Sequence, residues 1–150
     1  MIRTSNIVLT IAALAAVATA ADKKLTLKDL SPAVQKTVQD TLKGGEIKNI
    51  GKETEKGVTQ YEVETMLNGK HRDFNVDTKG KLVVLEEETT IDAVPAAAKA
   101  GIEKKVAGGK LGMVEIMTKD GQTFYEAAYT GKDGKKHEVL VKPDGTETKD

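Results

Sequence analysis

The stretch Leu42-Lys43-Gly44-Gly45-Glu46-Ile47 decides how this chain reads, because the chain repeats it as Val106-Ala107-Gly108-Gly109-Lys110-Leu111. In both places an apolar residue closes a helical pattern, two glycines stop it, and an alternating strand pattern begins. The offset of 64 residues also holds upstream, where Leu27, Leu30, Val34, Val38 and Leu42 fall on Ile91, Val94, Ala98, Ile102 and Val106. Downstream, Tyr61-Glu62 falls on Tyr125-Glu126. One inserted residue then sets Asn68-Gly69-Lys70 against Asp133-Gly134-Lys135, and Gly80 against Gly145. The pattern predicts two copies of one helix-then-strands unit.

Ahead of the first copy, residues 1–21 read as an address. Arg3 sits in a short basic start, residues 7–17 form an uncharged apolar run, and Ala18-Thr19-Ala20 is a small-x-small cleavage site. This is the secretory signal pattern, and the run is shorter than the roughly 20 residues of a membrane span. The expected mature chain starts at Ala21 or Asp22, lies in the periplasm or outside the cell, and has no stable membrane insertion. Without Arg3 it carries 22 basic and 23 acidic residues. That balance offers no basic footprint for nucleic acid. Cysteine is absent and aromatics make up 3% of the chain, so an aliphatic core has to hold the fold without disulfides.

In the first copy Ser31-Pro32 reads as N-cap and first helical residue. Leu30, Val34, Val38 and Leu42, spaced by four, make one apolar stripe. Residues 22–28 read as a polar lead-in. Strands are expected over residues 47–55, the first and an irregular one, and over 58–67, 70–77 and 81–88, with Asn68-Gly69 the strongest hairpin signal among the turns. Alternation puts Thr59, Tyr61, Val63 and Thr65 on one face and Gln60, Glu62 and Glu64 on the other, with Phe74 and Val76 inward. In the second copy the helix covers residues 95–107. Gly101 interrupts it at a cost of about 1 kcal/mol against alanine, so it should be the weaker helix. Strands follow over residues 111–119, 123–130, 136–142 and 146–148, the last without an apolar residue and expected as a charged, frayed edge. The expected fold is α+β: two tandem repeats, residues 22–88 and 89–150, each a helix followed by a four-stranded antiparallel meander. The helices are expected on one face of the sheet, with the other face free.

Catalytic chemistry finds little to work with. Ser31 is the only serine of the expected mature chain, and its role is a cap; no threonine sits in an activated setting. His71 and His137 are the only histidines; they are not equivalent by repeat, and neither has a short-range histidine partner to build a metal site. The Asp-Gly pairs lack the acidic alternation of a calcium loop. No Gly-Lys pair precedes Ser or Thr as in a phosphate cradle. No catalytic residue, metal ligand or cofactor is therefore assigned, and the expected class is not an enzyme. The surface remains. Opposite Tyr61 and Val63 lie Glu62, Glu64 and Met66; opposite Tyr125 lie Phe124 and Glu126. Met113 and Met117 share a face of the preceding strand, and in the first copy Val83 and Leu85 are expected on the surface face, opposite Leu82 and Val84. Phe124, Glu126, Glu62, Glu64 and Met66 are the candidate partner face, since an apolar and carboxylate-bearing sheet face suits a protein or peptide.

Helix, Gly-Gly, Tyr61-Glu62-Val63, Asn68-Gly69-Lys70 and Val76-Asp77-Thr78-Lys79-Gly80-Lys81-Leu82 together resemble the PepSY-like family, also described as β-lactamase-inhibitor-like. The second copy matches at Tyr125-Glu126, Asp133-Gly134-Lys135 and Val141-Lys142-Pro143-Asp144-Gly145. It departs with Ala127 for Val63, Lys142 for Asp77 and Thr146 for Lys81. The resemblance implies an exported bacterial-type protein of two helix-plus-four-strand repeats. Inhibitors of this type bind their enzyme on the concave sheet, and PepSY domains also occur in protease propeptides. No inhibitory loop residue carries over, because no matching motif is present. The leading expectation is an exported, non-enzymatic binding module that inhibits or modulates an extracytoplasmic hydrolase, with an enzyme or peptide as its protein partner. The alternative is a small-ligand or metal-binding envelope protein using the carboxylate-rich face.

Overall fold

The computed structural model describes residues 25–55 and 57–149; the leader expected over residues 1–21 lies outside them. In chain order there is a 3-10 turn, Leu27–Asp29, then helix α1 (Pro32–Leu42). Strands β1 (Glu46–Glu55), β2 (Val58–Leu67), β3 (Lys70–Asp77) and β4 (Leu82–Thr89) follow. A second 3-10 turn, Ile91–Ala93, leads to helix α2 (Ala96–Val106). Strands β5 (Lys110–Lys119), β6 (Gln122–Thr130), β7 (Lys136–Val141) and β8 (Glu147–Thr148) complete the chain. The molecule is α+β, with eight strands in sheet order β1 to β8. The pairings within β1–β4 and within β6–β8 are antiparallel. No helix among the described residues is long and apolar enough to cross a membrane.

The residues group into two compact units. One takes the described chain up to Glu88 together with Ile116–Gln122; the other takes Thr89–Glu115 and the chain from Thr123 onward. In the first, Leu30, Val34 and Val38 pack on Ile50, Val63, Phe74 and Val76. Leu25, Leu27, Ile47, Tyr61 and Leu85 close the margins of that core. In the second, Val94, Ala98 and Ile102 pack on Val114, Ala127, Val139 and Val141, with Tyr125 and Tyr129 at the edge. Each buried Val, Leu, Ile or Phe side chain of this kind contributes about 1.5–3 kcal/mol relative to exposure. The spacing-by-four stripe of each helix is therefore the feature that fixes which sheet face is covered.

Local chemistry sets the ends of the elements. Ser31 accepts a hydrogen bond from the Val34 N–H at 3.5 Å, and Pro32 opens α1. The helix stops one residue earlier than the glycine pair suggests: Lys43 already takes the left-handed conformation at φ 53°, followed by Gly44 at φ 86°. Residues 22–28 were expected as a polar lead-in, yet Leu25 and Leu27 pack on the core. The turn that places Leu27 is held by Asp29, whose carboxylate accepts from the Thr26 N–H at 2.9 Å and the Thr26 hydroxyl at 2.6 Å. This is a capping-box arrangement with aspartate in the acidic position. Asn68 (φ 54°) and Gly69 (φ 79°) form the β2–β3 hairpin with both residues at positive φ, as a two-residue primed turn requires.

Gly101 has a packing role that propensity does not reveal. It faces the chain at Gly145, and a Cβ there would overlap the Gly145 carbonyl. The glycine lets α2 approach that turn. In the first unit Gly80 lies against Ala33 of α1 in the same manner, and a Cβ on it would stand 2.7 Å from the Ala33 carbonyl oxygen. The final strand is short, as its charge predicts; Glu147 is tied to Lys105 of α2 at 2.8 Å.

Candidate functional site

Strand register shows what the helix-free face of the first unit carries. Tyr61, Val63, Phe74, Val76 and Leu85 belong to the core under α1, so their neighbours along each strand point the other way. On β2 these are Gln60, Glu62, Glu64 and Met66, and on β3 His71, Asp73 and Asn75. Directly across the pairs stand Glu53 with Gln60, Gly51 with Glu62, and Asn49 with Glu64. Asn75 faces Glu62 from β3, Glu86 faces Asp73 from β4, and Val84 faces Asn75. Val84, Asn75 and Glu86 are buried; Glu62, Glu64, Asp73 and Met66 are half-buried; His71 is exposed.

The carboxylates are arranged, not scattered. Glu64 accepts from the Asn49 side-chain amide at 3.0 Å. Asp73 accepts the Thr65 N–H at 2.7 Å, where β2 and β3 lose a regular rung between the pairs Val63–Phe74 and Met66–His71. Glu88 accepts the His71 N–H at 2.9 Å, and the His71 ring stands 3.7 Å from Asp73. Burial pushes the Glu62 carboxyl above its ordinary value, and the charges of Glu53, Glu64 and Asp73 add to the rise. Burial also raises Asp73, against the pull of the Thr65 N–H and His71. Crowding like charges on a half-dry surface is a cost the fold carries. Among the described residues no three His, Asp or Glu side chains converge in a way that could hold a metal ion.

Lys52, Lys70 and Arg72 of β1–β4 sit elsewhere. Lys52 is paired with Tyr61 and Lys70 with Leu67, both on the helix side of the sheet. Arg72 turns under α1, where its guanidinium donates to the Thr41 carbonyl and to Glu87 at 2.9 Å. Lys48, in the β1 irregularity between Ile47 and Asn49, is ion-paired with Glu46 at 2.7 Å at the end of the strand.

The five expected partner-face residues therefore divide by unit. Glu62, Glu64 and Met66 stand together on β2. Phe124 and Glu126 stand on β6 of the other unit, facing away from Tyr125 and Ala127, with Phe124 half-buried and Glu126 buried at 9% exposure. Met113 and Met117, expected to share one face of β5, differ sharply: Met113 is 39% exposed and Met117 is 1% exposed. Sequence reasoning missed Asp73, Asn75, Val84 and Glu86. The inward assignment of Phe74 and Val76 already implied Asp73 and Asn75 by alternation. On β4 the expectation is corrected: the irregularity between Asn75 and Val76 displaces the strand by one residue, so Leu85 packs on the core under α1 while Val84 and Glu86 take the helix-free face. The histidines form separate local pairs: the His137 ring stacks on Tyr129 at 5.2 Å and meets Asp133 at 3.2 Å.

Solved structures share this architecture. A Bacteroides eggerthii protein inferred to be periplasmic superposes with a TM-score of 0.64 at 17% identity, over 80% of this chain and 86% of its own. A DUF2874 family protein from Bacteroides ovatus gives 0.62 at 14% identity, over 80% and 85%. A BLIP-like protein from Bacteroides fragilis gives 0.57 at 19% identity, over 79% and 83%. Protein-family models and curated proteins give no match to the sequence. At these identities the likeness is one of fold, which this chain shares with the BLIP-like protein.

Proposed function

We propose that this chain is an exported, non-enzymatic binding module that seats a protein partner on the helix-free face of its sheet. The observation that carries this reading is the face of β1–β4: Glu62, Glu64 and Asp73 are held half-buried beside Met66, opposite the side that α1 covers. A half-dry sheet face that mixes an apolar side chain with polar groups is the kind of surface a protein interface uses, with its polar groups at the rim. The duplicated helix-and-meander plan, residues 22–88 and 89–150, supports a PepSY-like and β-lactamase-inhibitor-like assignment. Two features agree with it: the element order recurs, and Val34, Val38, Ala98 and Ile102 are buried at matched positions. Likeness to a BLIP-like protein favours an extracytoplasmic hydrolase as the partner. The signal pattern of residues 1–21, with a periplasmic fold neighbour, supports export.

The test is capture from periplasmic extract with the mature protein and with Glu62→Lys/Glu64→Lys. A stoichiometric protein retained by the first and released by the second is the expected result. A partner held equally by both removes the β2 face from the interface.

A further inference from the structure

The proposed sheet-face reading leaves the chemistry of the partner open, and the distribution of charge narrows it. On the helix-free side of β1–β4, register places Glu53, Glu62, Glu64, Asp73, Glu86 and Glu88, while Lys52, Lys70 and Arg72 take the helix side. Lys48, in the β1 irregularity, is engaged by Glu46. Within β1–β4 the carboxylates therefore gather on the helix-free side, apart from Glu87, which meets Arg72 on the helix side.

The spacing of these carboxylates separates a cation from a cationic chain. Neighbouring strands lie about 4.8 Å apart and same-face residues along a strand about 7 Å apart. Among the described residues no three of these carboxylates converge in a way that could hold a metal ion, so the charges form a spread grid and not a cation site. Such a grid matches several basic side chains presented at intervals, as on an extended or helical segment. Gly51 stands across from Glu62 and brings no side chain of its own beside that carboxylate, whose oxygen would lie 3.7 Å from a Cβ built there. The half-buried carboxylates repel one another in the free protein, and an opposite charge seated among them relieves that repulsion. From this arrangement we infer that the partner presents a lysine- or arginine-rich segment, which lies across β1 and β2 with one basic side chain in the gap over Gly51.

Hexalysine is the probe, titrated by fluorescence anisotropy against the mature protein, with hexaglutamate and magnesium chloride as comparisons. The expected result is hexalysine binding that weakens at least about tenfold in Glu62→Gln/Glu64→Gln, an effect on the scale of interfacial charge pairs. The change Asp40→Asn/Glu103→Gln, on the helices, should leave it unaltered. Gly51→Leu keeps every charge but fills the gap and should weaken binding as well. Thermal melts of all variants establish that they fold. Equal loss in the helix variant, or hexalysine binding no better than that of hexaglutamate, overturns the cationic-segment inference. Magnesium binding without discrimination between the peptides also overturns it. If hexalysine fails while the extract partner is still lost from Glu62→Lys/Glu64→Lys, the sheet-face reading stands and only the partner chemistry falls. If both fail, both readings fall.

Discussion

At the scale of single residues, Glu62 gives the plainest consequence. Its carboxyl is raised by burial first and then by Glu53 across β1, Glu64 on its own strand and Asp73 from β3. Between its ordinary value and the raised one, the native state binds more protons than the unfolded chain. The stability contributed by this group is therefore full below the ordinary value and lost as pH rises through the raised one. Glu62→Gln should accordingly melt higher than the wild type at neutral pH, and the gap should close below the ordinary carboxylate range, where both carry a neutral side chain. Melting curves across that range decide it; a variant less stable than wild type at neutral pH would show that the charged form is favoured. Arg72 is the opposite case, a charge whose removal should harm. It bonds the last turn of α1 at Thr41, where a cation also suits the helix dipole, and it holds Glu87. Hydrogen bonds to charged groups are worth about 1.5–3 kcal/mol, so Arg72→Met should lower stability by roughly that amount in denaturant titration. Glu62 could be placed from sequence, since strict alternation with Tyr61 and Val63 fixed its face. Arg72 could not be singled out from sequence, because alternation does not say which basic residue will find a helix end.

At the scale of elements, α2 exposes the limit of propensity. Composition marks Gly101 as a weak point, worth about 1 kcal/mol if replaced by alanine. The structure reverses the sign, because that glycine is where α2 meets the Gly145 turn and a Cβ would overlap the carbonyl. Gly101→Ala should destabilise the protein, whereas Ala100→Gly, on the exposed side of the same helix, should cost only about the propensity difference. A thermal melt in which Gly101→Ala gains stability would show that the close approach is not needed. The helices and hairpins were legible because each has a local cause: Ser31-Pro32 at a start, Asn68-Gly69 at a turn, apolar residues four apart on one face. The irregular pattern of residues 47–55 agrees with the register shift between Ile47 and Asn49, but the shift between Asn75 and Val76 was not legible. It depends on which residues lie opposite on another strand, and that information is non-local. Met113 and Met117 make the same point: identical by pattern on β5, they part in burial according to what surrounds each end of the strand.

At the scale of the whole molecule, near-neutral net charge and sorted charge lead to different behaviour. Net charge alone makes the loss of any two carboxylates equivalent. Sorting does not, because charges within a Debye length of about 10 Å act on a charged surface together. Glu62 and Glu64 lie about 7 Å apart by strand geometry, with Glu53 and Asp73 contributing to the same field at Glu62. Asp40 is already answered by Lys36 at 2.5 Å, and Glu103 by Lys99 at 3.9 Å. Two variants with the same formal change follow: Glu62→Gln/Glu64→Gln on the sheet, and Asp40→Asn/Glu103→Gln on the helices. On an anion-exchange column at low salt the wild type should bind through its acidic face, later than its net charge implies. The sheet variant should then elute distinctly earlier, while the helix variant should move little. Raising the salt shortens the Debye length and should shrink the difference between the two. Equal shifts for the two variants would mean that the matrix sees only net charge. The grid on β1–β3 would then have no collective field with which to draw a cationic partner, whatever its geometry.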